Sequence, residues 1–242
     1  MSGSAFVACL DAAFYPGSTP VWDNVRYRMT LLQYIRRTDR VLDLGAGRGR
    51  VPEMNFRGIA AHVTGVDLEP SVADNPYLDE AVILDASSAT LPLADASYDV
   101  VFTSNVLEHL EDPSTLFREV ARVLKPGGVF INKTPNRFHY VALVASLTPQ
   151  RFHEWINTRR GRPAHDTFQT HYRSNSARAI RRLAHASALD VVTLEAWEGP
   201  PNYLRVFPPL YPLGIVYERL VNIADRFAVL RAVLGAVLRK AA

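Results

Sequence analysis

A glycine-rich stretch follows a short apolar run near the start of the sequence. The apolar run, residues 41–44, contains Asp43 and is followed by glycines at alternate positions, Gly45, Gly47 and Gly49. Glycine has no Cβ and readily adopts a positive φ, so a ligand can lie directly against the backbone N–H groups of such a turn. The stretch therefore predicts a strand that runs into a binding loop for a nucleotide-like cofactor.

A second apolar run, residues 63–68, contains Asp67 about eighteen residues beyond Gly49. In doubly wound folds a carboxylate at a similar offset binds a ribose, so Asp67 is predicted to accept hydrogen bonds from both ribose hydroxyls. The glycine spacing is G-x-G-x-G, whereas a dinucleotide fingerprint would need its third glycine at Arg50. The spacing thus favours a nucleotide-like cofactor other than a dinucleotide.

Three further segments follow in order along the chain. Residues 81–86 predict a third strand, and residues 98–105 a fourth strand that leads into the segment 106–110. A helix over 120–125 is stopped by Pro-Gly-Gly, and a fifth strand follows at 129–132. In open α/β sheets the ligand lies outside the carboxyl ends of the strands, where the turns after these segments are expected.

As an ordered set, these segments resemble the class I S-adenosylmethionine (SAM) dependent methyltransferases over residues 39–136. The similarity is to the methyltransferase type 11-like group, which includes ubiquinone-biosynthesis and small-molecule methyltransferases. It implies an α/β fold: a doubly wound, Rossmann-like, seven-stranded and mostly parallel sheet with helices on both faces and an inserted acceptor-side segment. It also implies that the cofactor is S-adenosyl-L-methionine and that the product is S-adenosyl-L-homocysteine (SAH).

The resemblance assigns cofactor contacts to the turns at the ends of the first four strands. These contacts are Asp43, Gly45, Ala46, Gly47, Gly49, Asp67, Leu68, Asp85, Ala86, Asn105, Val106 and His109. Asp85 is preferred over Ser87 and Ser88 as the adenine contact because it is expected to end its strand, although it stands farther from the following Leu-Pro pair than in many relatives. His109 is open to three roles: a cofactor contact, a base, or a residue that satisfies a helix end.

Length and composition predict one domain over 1–242. With 242 residues, 48% hydrophobic and 21% charged, the chain can form one well-buried α/β domain with an accessory part. Its expected parts are an N-terminal helical cover at 1–38, the SAM-binding core at 39–136, the acceptor-side insertion at 137–173, the end of the core at 174–212 and a C-terminal amphipathic helix at 213–242. The cover includes a helix from Trp22 to Arg37, in which Trp22, Arg26 and Tyr27 either reach the cofactor or pack the helix on the sheet.

Several other features bear on compartment and partners. A single cysteine, Cys9, excludes a disulfide framework, and the spacing of His153, His165 and His171 does not indicate a metal cluster, so no metal is expected. A net charge of +3 with dispersed arginines does not favour nucleic acid, and neither do Val106 and Leu107 after Asn105, where a base-flipping enzyme commonly has Pro-Pro. Residues 1–14 do not show the pattern of an export leader, and no run reaches the length of a membrane-spanning helix, so a cytoplasmic location is expected.

The segment after the fifth strand is the expected acceptor side. Since the methyl group of SAM is carried by an excellent leaving group, catalysis depends on positioning the acceptor, and a base is needed only if the acceptor loses a proton. The candidate catalytic residues are His139, His171 and Tyr172, each with structural or substrate-binding alternatives. The expected reaction is methyl transfer to a small-molecule, glycan or lipid-linked acceptor, at oxygen; a non-catalytic SAM-binding protein and a nucleic-acid methyltransferase are alternatives.

The last third of the sequence predicts four more elements. Residues 174–176 cap a helix at 177–186, residues 189–194 form a sixth strand, and residues 202–207 form a short edge strand between proline pairs. From Gly214 to Lys240 the apolar spacing predicts one long amphipathic helix. This helix would pack on its own domain or form a homodimer, or it would make peripheral membrane contact along its basic edge.

Overall fold

The computed structural model describes residues 3–19, 21–148 and 169–242. The chain divides into two compact units. We call them the core unit, made of Asn24–Thr134, His171–Glu195 and Leu234–Ala242, and the accessory unit, made of Met1–Asp23, Pro135–Thr170 and Ala196–Val233.

A seven-stranded sheet is the framework of the fold. Its strands are β1 Arg40–Leu44, β2 His62–Asp67, β3 Glu80–Ile83, β4 Tyr98–Ser104, β5 Leu124–Pro135, β6 Leu189–Trp197 and β7 Val233–Lys240. They lie in the order β3-β2-β1-β4-β5-β7-β6. β1 is parallel to β2 and β4, and the pairs β2–β3 and β4–β5 are also parallel. The predicted α/β, doubly wound and mostly parallel Rossmann-like sheet is therefore confirmed.

β7 runs against the direction of β5. At one end Gly127 N donates to the carbonyl of Ala241 at 3.4 Å, and at the other Asn136 N donates to the carbonyl of Ala232 at 2.8 Å. Because the residue numbers fall on one strand as they rise on the other, the pair is antiparallel.

The α-helices of the described residues are α1 Gly3–Phe14, α2 Trp22–Leu32, α3 Pro113–Val123, α4 Tyr140–Leu147, α5 Ala177–Ala186 and α6 Tyr211–Asn222. α3 begins after Asp112, whose carboxylate accepts from Ser114 N at 3.0 Å, and Pro113 occupies its first position. α5 is capped by Ser176, whose hydroxyl accepts from Ala179 N at 3.2 Å, as the sequence predicted. None of the helices in these described ranges is long and apolar enough to span a bilayer.

The centre of the core unit consists of β1 and β4. Val41, Leu42, Val101 and Phe102 are fully or almost fully buried, and the ring of Phe102 meets that of Phe56 edge to face at 5.5 Å. Continuous apolar runs instead of alternation are typical of strands that are covered on both faces. These buried strands hold the turns at their carboxyl ends in fixed positions.

The predicted long C-terminal helix at 213–242 is wrong. α6 ends at Asn222, a 3₁₀ helix covers Asp225–Leu230, and the remaining residues form β7. The run from Val233 to Leu238 is apolar at every position, and such a run satisfies a helical pattern as well as that of a strand buried on both faces. Long-range pairing in the sheet decides the outcome.

Smaller corrections concern strand lengths and one edge strand. Residues Asn202–Val206 form a 3₁₀ helix, so the predicted strand at 202–207 is wrong. β3 ends at Ile83, before Asp85. The helix predicted to run to Arg37 ends at Leu32, and the helix before Pro126 ends at Val123.

Candidate functional site

The glycine turn at the end of β1 has a backbone conformation that favours glycine at three positions. Gly45, Gly47 and Gly49 have φ of +78°, +52° and +74°, which side chains rarely adopt. A Cβ on Gly45 would lie 2.3 Å from Val106 Cγ2, and one on Gly49 would lie 2.4 Å from Asn75 Oδ1. By contrast, no heavy atom of the described residues lies within 4 Å of the Cβ position of Gly47. The turn is therefore packed at both ends and open in the middle, where a ligand would have room.

The segment after the turn argues against a phosphate ligand. Dinucleotide sites place their pyrophosphate at the N-terminus of the helix that follows the glycine loop. Here the residues that follow form only a three-residue 3₁₀ helix, Pro52–Met54. The turn thus lacks the helix dipole that would hold a phosphate, which agrees with the prediction of a cofactor other than a dinucleotide.

Asp67 lies at the end of β2 and faces the glycine turn. Its Oδ2 accepts a hydrogen bond from Gly47 N at 2.8 Å, and its Oδ1 accepts one from Glu69 N at 2.9 Å. A carboxylate has about four acceptor positions, so two backbone donors leave capacity for ribose hydroxyls. The backbone bonds fix the orientation of the carboxylate before any ligand binds.

Asn75 was not identified from the sequence, yet it holds the turn. Its buried side-chain amide donates to the carbonyls of Ala46 at 3.1 Å and Gly47 at 3.0 Å, and its Oδ1 accepts from Tyr77 N at 2.9 Å. It lies at the end of the 3₁₀ helix Pro70–Asp74, in a segment without a recognisable motif. Asn75 binds the carbonyl groups of the turn, whereas Asp67 accepts from the N–H of Gly47 on the other side of the turn.

Asp43 is a buried carboxyl on β1, two residues before the first glycine of the turn. Only 7% of the residue is exposed, and burial, followed by the negative charge of Asp67, raises the pKa of Asp43 to about 8. A cation bound at the turn would offset both effects by stabilising the ionised form. SAM carries a sulfonium and an ammonium group, so this electrostatic environment suits it.

The turn after β4 brings three predicted cofactor contacts to the same edge of the sheet. Asn105 has a φ of +57° and donates its N–H to the carbonyl of Lys133 at 2.8 Å. Val106 packs over Gly45, because a Cβ built on Gly45 would overlap the Val106 side chain. His109 is partly exposed in the 3₁₀ helix Leu107–His109, and its N–H donates to the carbonyl of Val106 at 3.0 Å.

Asp85, the predicted adenine contact, does not have the position in the fold that the sequence analysis expected. Asp85 does not end its strand; it is exposed in the turn after β3, where its Oδ1 accepts from Ser87 N at 2.8 Å and Ser87 Oγ at 2.7 Å. These bonds lower the pKa of Asp85. The side chains of Leu68 and Ala86 are exposed. The assignment of Asp85 and Ala86 to adenine stays a prediction, without the strand-end argument that supported it.

The residues of α2 with a proposed cofactor role make structural contacts. Tyr27 is fully buried, and its hydroxyl donates to the carbonyls of Thr103 and Ile131, both at 2.8 Å. Arg26 forms an exposed ion pair with Glu195 at 3.0 Å. Trp22, in the accessory unit, lies against Gly199, where a Cβ would come within 2.5 Å of its ring. These contacts favour the packing interpretation of the helix.

His171 and Tyr172 lie beside the turn that carries His109. The N–H groups of both residues donate to the carbonyl of Glu108, at 2.7 and 3.2 Å, and Tyr172 has a φ of +51°. Glu108 itself is buried and accepts from Thr134 Oγ1 at 3.1 Å; burial raises its pKa. The core unit thus brings two of the three candidate catalytic residues to the carboxyl end of β4.

His139 belongs to the accessory unit and lies next to an acid that the sequence analysis missed. Its Nε2 lies 3.4 Å from Oε2 of Glu198, and the two side chains are only 6% and 5% exposed. Burial lowers the pKa of His139 to about 4, and burial raises the pKa of Glu198 to about 8. Glu198 follows β6 directly, and no motif in the sequence marks it.

The described residues contain no group of three or more histidine, cysteine or acidic side chains that could hold a metal ion. His153 and His165 lie outside the described residues.

Residues 42–132 match a family model described as a methyltransferase domain. The ubiquinone biosynthesis O-methyltransferase of Marinobacter nauticus is 37% identical over 134 residues, which are 48% of this chain and 56% of that protein. A probable S-adenosylmethionine-dependent methyltransferase of Mycolicibacterium smegmatis is 39% identical over 105 residues, 41% of this chain and 39% of its own length. The chain thus spans about half the length of the curated relatives it matches.

Solved structures share the fold at low sequence identity. An S-adenosylmethionine-dependent methyltransferase from Mesorhizobium loti superposes with a TM-score of 0.58 at 19% identity, covering 92% of this chain and 99% of that one. Geranyl diphosphate C-methyltransferase from Streptomyces coelicolor, solved with S-adenosyl-L-homocysteine, has a TM-score of 0.53 at 15% identity and covers 90% and 78%. The glycine turn, the acids of β1 and β2, the sheet order and these matches confirm the predicted family and its cofactor. They identify residues 42–132 as a methyltransferase domain of the class I, S-adenosylmethionine-dependent type.

Proposed function

We propose that this protein transfers the methyl group of SAM to an oxygen atom of a small-molecule acceptor. The observation that carries the proposal is the turn at Gly47, which is open on its ligand side and bonded on its N–H side to the carboxylate of Asp67. The O-methyltransferase name of the Marinobacter relative supports oxygen as the acceptor atom.

The residues of the core unit would bind and orient the cofactor. When bound, SAM supplies a methyl group on a sulfonium, which is a good leaving group. Asp67 would hold the ribose, the open turn would accept the ligand against its backbone, and buried Asp43 would balance positive charge. Such a site works chiefly by positioning the two reactants and excluding water.

We extend the proposal to an acceptor that is linked to a lipid. α6 packs one face inward, while the opposite face exposes four apolar side chains by 54–68%: Leu213, Val216, Leu220 and Ile223. Residues 205–231 contain four arginines and two acidic residues, so this segment has a net positive charge. An outward apolar face in a basic segment suits the surface of an anionic bilayer, where the acceptor would reside.

Calorimetry with SAH tests the cofactor site. Wild type is expected to bind SAH and not NADH, and Asp67→Ala is expected to weaken binding by about 1.5 to 3 kcal/mol, the scale of hydrogen bonds to a charged group. Asp74→Ala, an exposed acid nearby, serves as the matched control. Preference for NADH would contradict the proposal, and SAH binding without transfer from labelled SAM to any acceptor would indicate a non-catalytic SAM-binding protein.

A further inference from the structure

Residues 171–175, which we call the strap, lie in the core unit and are bonded to the turn that follows β4. Hydrogen bonds from the strap reach backbone carbonyls of residues 107–111: from His171 N and Tyr172 N to Glu108 at 2.7 and 3.2 Å, from Arg173 Nη1 to Glu111 at 2.6 Å, and from Ser174 Oγ to Leu107 at 2.9 Å. The strap is therefore held beside the turn that carries Asn105, Val106 and His109, the predicted cofactor contacts.

The second half of the strap is anchored in the interior of the core unit. The side-chain amide of Asn175 donates to Thr134 Oγ1 at 2.6 Å, and Thr134 Oγ1 donates to Glu108 Oε2 at 3.1 Å. Asn175 and Thr134 are fully buried, and Glu108 is almost fully buried. Hydrogen bonds that are shielded from water hold their groups in one arrangement. These bonds fix the strap, and they do not involve the side chain of Tyr172.

Tyr172 has a backbone conformation that a large side chain disfavours. Its φ is +51°, in the left-handed region, where the Cβ crowds the following carbonyl oxygen. Glycine adopts this conformation freely and asparagine tolerates it, whereas a bulky residue there is an outlier. In the described ranges, the other non-glycine residues with positive φ are small or carry an amide: Ala96, Asn105 and Ala188. Backbone strain of this kind is concentrated at functional sites.

Burial distinguishes Tyr172 from the anchored part of the strap. Ser174 and Asn175 are fully buried, whereas Tyr172 is half-buried. Packing of the core therefore does not demand a tyrosine at this position, and glycine would remove the strain. A residue that breaks a local rule where another residue would suit the fold better is typical of a functional position.

We propose that Tyr172 binds the methyl acceptor and positions the hydroxyl group of the acceptor for methyl transfer. The phenol ring offers the acceptor a flat apolar surface, and the phenol oxygen accepts a hydrogen bond from the acceptor hydroxyl. This inference rests on the proposed transfer to oxygen. It gives Tyr172 a binding role in place of the role of base that the sequence allowed. The class of acceptor is a hydroxyl compound with a flat apolar face.

The bonds of the strap explain how this role serves the reaction. Tyr172 N is bonded to Glu108, and Glu108 lies between Val106 and His109 in the turn after β4. Both reactants would thus be held by one hydrogen-bonded part of the core unit. Since methyl transfer depends on the distance and alignment of its two reactants, a rigid link between their contacts keeps both in place.

Two variants of Tyr172 separate acceptor binding from folding. Tyr172→Gly removes the strain together with the side chain; its urea midpoint is expected to be no lower than that of wild type, and its kcat/KM for the acceptor to fall about 100-fold. Tyr172→Phe keeps the ring and loses the hydroxyl group; it is expected to raise KM about tenfold and to keep kcat within about threefold. SAH affinity should stay within about twofold in both variants.

The assays use labelled SAM with three hydroxyl probes: catechol, guaiacol and methyl α-glucoside. Wild type is expected to methylate catechol or guaiacol in preference to methyl α-glucoside, which lacks a flat ring. Ala188→Gly is the matched control for strain, because Ala188 has a φ of +52° and is exposed. It should raise the urea midpoint and leave kcat/KM unchanged. Tyr34→Phe, at another half-buried tyrosine of the core unit, is the control for loss of a phenol hydroxyl and should behave like wild type.

The outcomes that overturn the inference are distinct from those that overturn the proposed function. A urea midpoint of Tyr172→Gly below that of wild type would make the side chain structural, and a loss of SAH affinity would assign it to the cofactor. Wild-type kcat/KM in both Tyr172 variants, preference for methyl α-glucoside, or SAH binding by wild type without methylation of any probe would each overturn the inference as well. Absence of SAH binding in wild type would instead overturn the proposed function.

Discussion

The backbone N–H of Gly47 donates to the carboxylate of Asp67 across 2.8 Å, from the turn after β1 to the end of β2. Two residues that the sequence presents as separate signals therefore form one structural unit. A substitution at Asp67 removes a predicted ligand contact and also releases the turn, so the turn needs a test of its own.

Gly47→Ala provides that test. The substitution is expected to lower the free energy of unfolding by about 1 kcal/mol because alanine disfavours positive φ, and to weaken SAH binding by about tenfold or more because the methyl group enters the open side. Gly58→Ala is the matched control: Gly58 also has a positive φ and open space around its Cβ position, but it lies outside the turn. Equal SAH affinity in the two variants would refute the assignment of the ligand to the turn.

Asn75→Ala should weaken SAH binding without removing any predicted ligand contact. The substitution leaves the carbonyls of Ala46 and Gly47 without their amide donor, at a cost of about 1 to 3 kcal/mol in the free energy of unfolding. Urea unfolding and calorimetry measure the two effects, and Asn222→Ala on α6 is the control for loss of an exposed amide. If stability falls while SAH affinity stays at the wild-type value, the turn does not need this support.

Affinity for SAH should depend on pH through Asp43. The raised pKa of about 8 means that the carboxyl is protonated at neutral pH in the free protein, whereas the ammonium group that SAH shares with SAM favours the ionised form. Affinity is therefore expected to increase with pH, by up to about tenfold per unit, and to level off above about pH 8. Asp43→Asn should flatten this profile, and Asp74→Asn should not; a profile unchanged in Asp43→Asn would assign the effect to another group.

The outward face of α6 is tested by flotation with phosphatidylglycerol vesicles. Wild type is expected to float with the vesicles, and the double variant Leu213→Gln/Leu220→Gln is expected to stay in solution because it loses apolar burial at the bilayer surface. Met29→Gln, on α2, replaces an apolar side chain of similar exposure and should float like wild type. A wild-type protein that remains in solution would remove the lipid-linked acceptor from the proposal.

The parts of the structure that sequence could predict are those specified locally. The glycine turn, Asp43 and Asp67 were found because a strand end, a glycine spacing and an acid lie within a few residues of one another. Glu198 was missed because its significance depends on His139, which is distant in sequence and reaches it only through the fold. A pattern read along the chain does not show which distant side chains become buried together.

The C-terminal strand β7 is a second element whose structure depends on residues distant in sequence. The residues of β7 satisfy the spacing of a helix, and only their place between β5 and β6 makes them a strand. Pairing of this kind depends on partners many residues away, so local propensity cannot decide it.

The position of β7 also orders events during synthesis. β6 occupies one edge of the sheet and has β7 as its sheet neighbour, yet β7 leaves the ribosome after β6. Strands β1 to β5 can pair as they emerge, whereas β6 gains its sheet neighbour only after β7 has been made. A nascent chain that stops before Val233 would therefore lack two strands of the sheet instead of one.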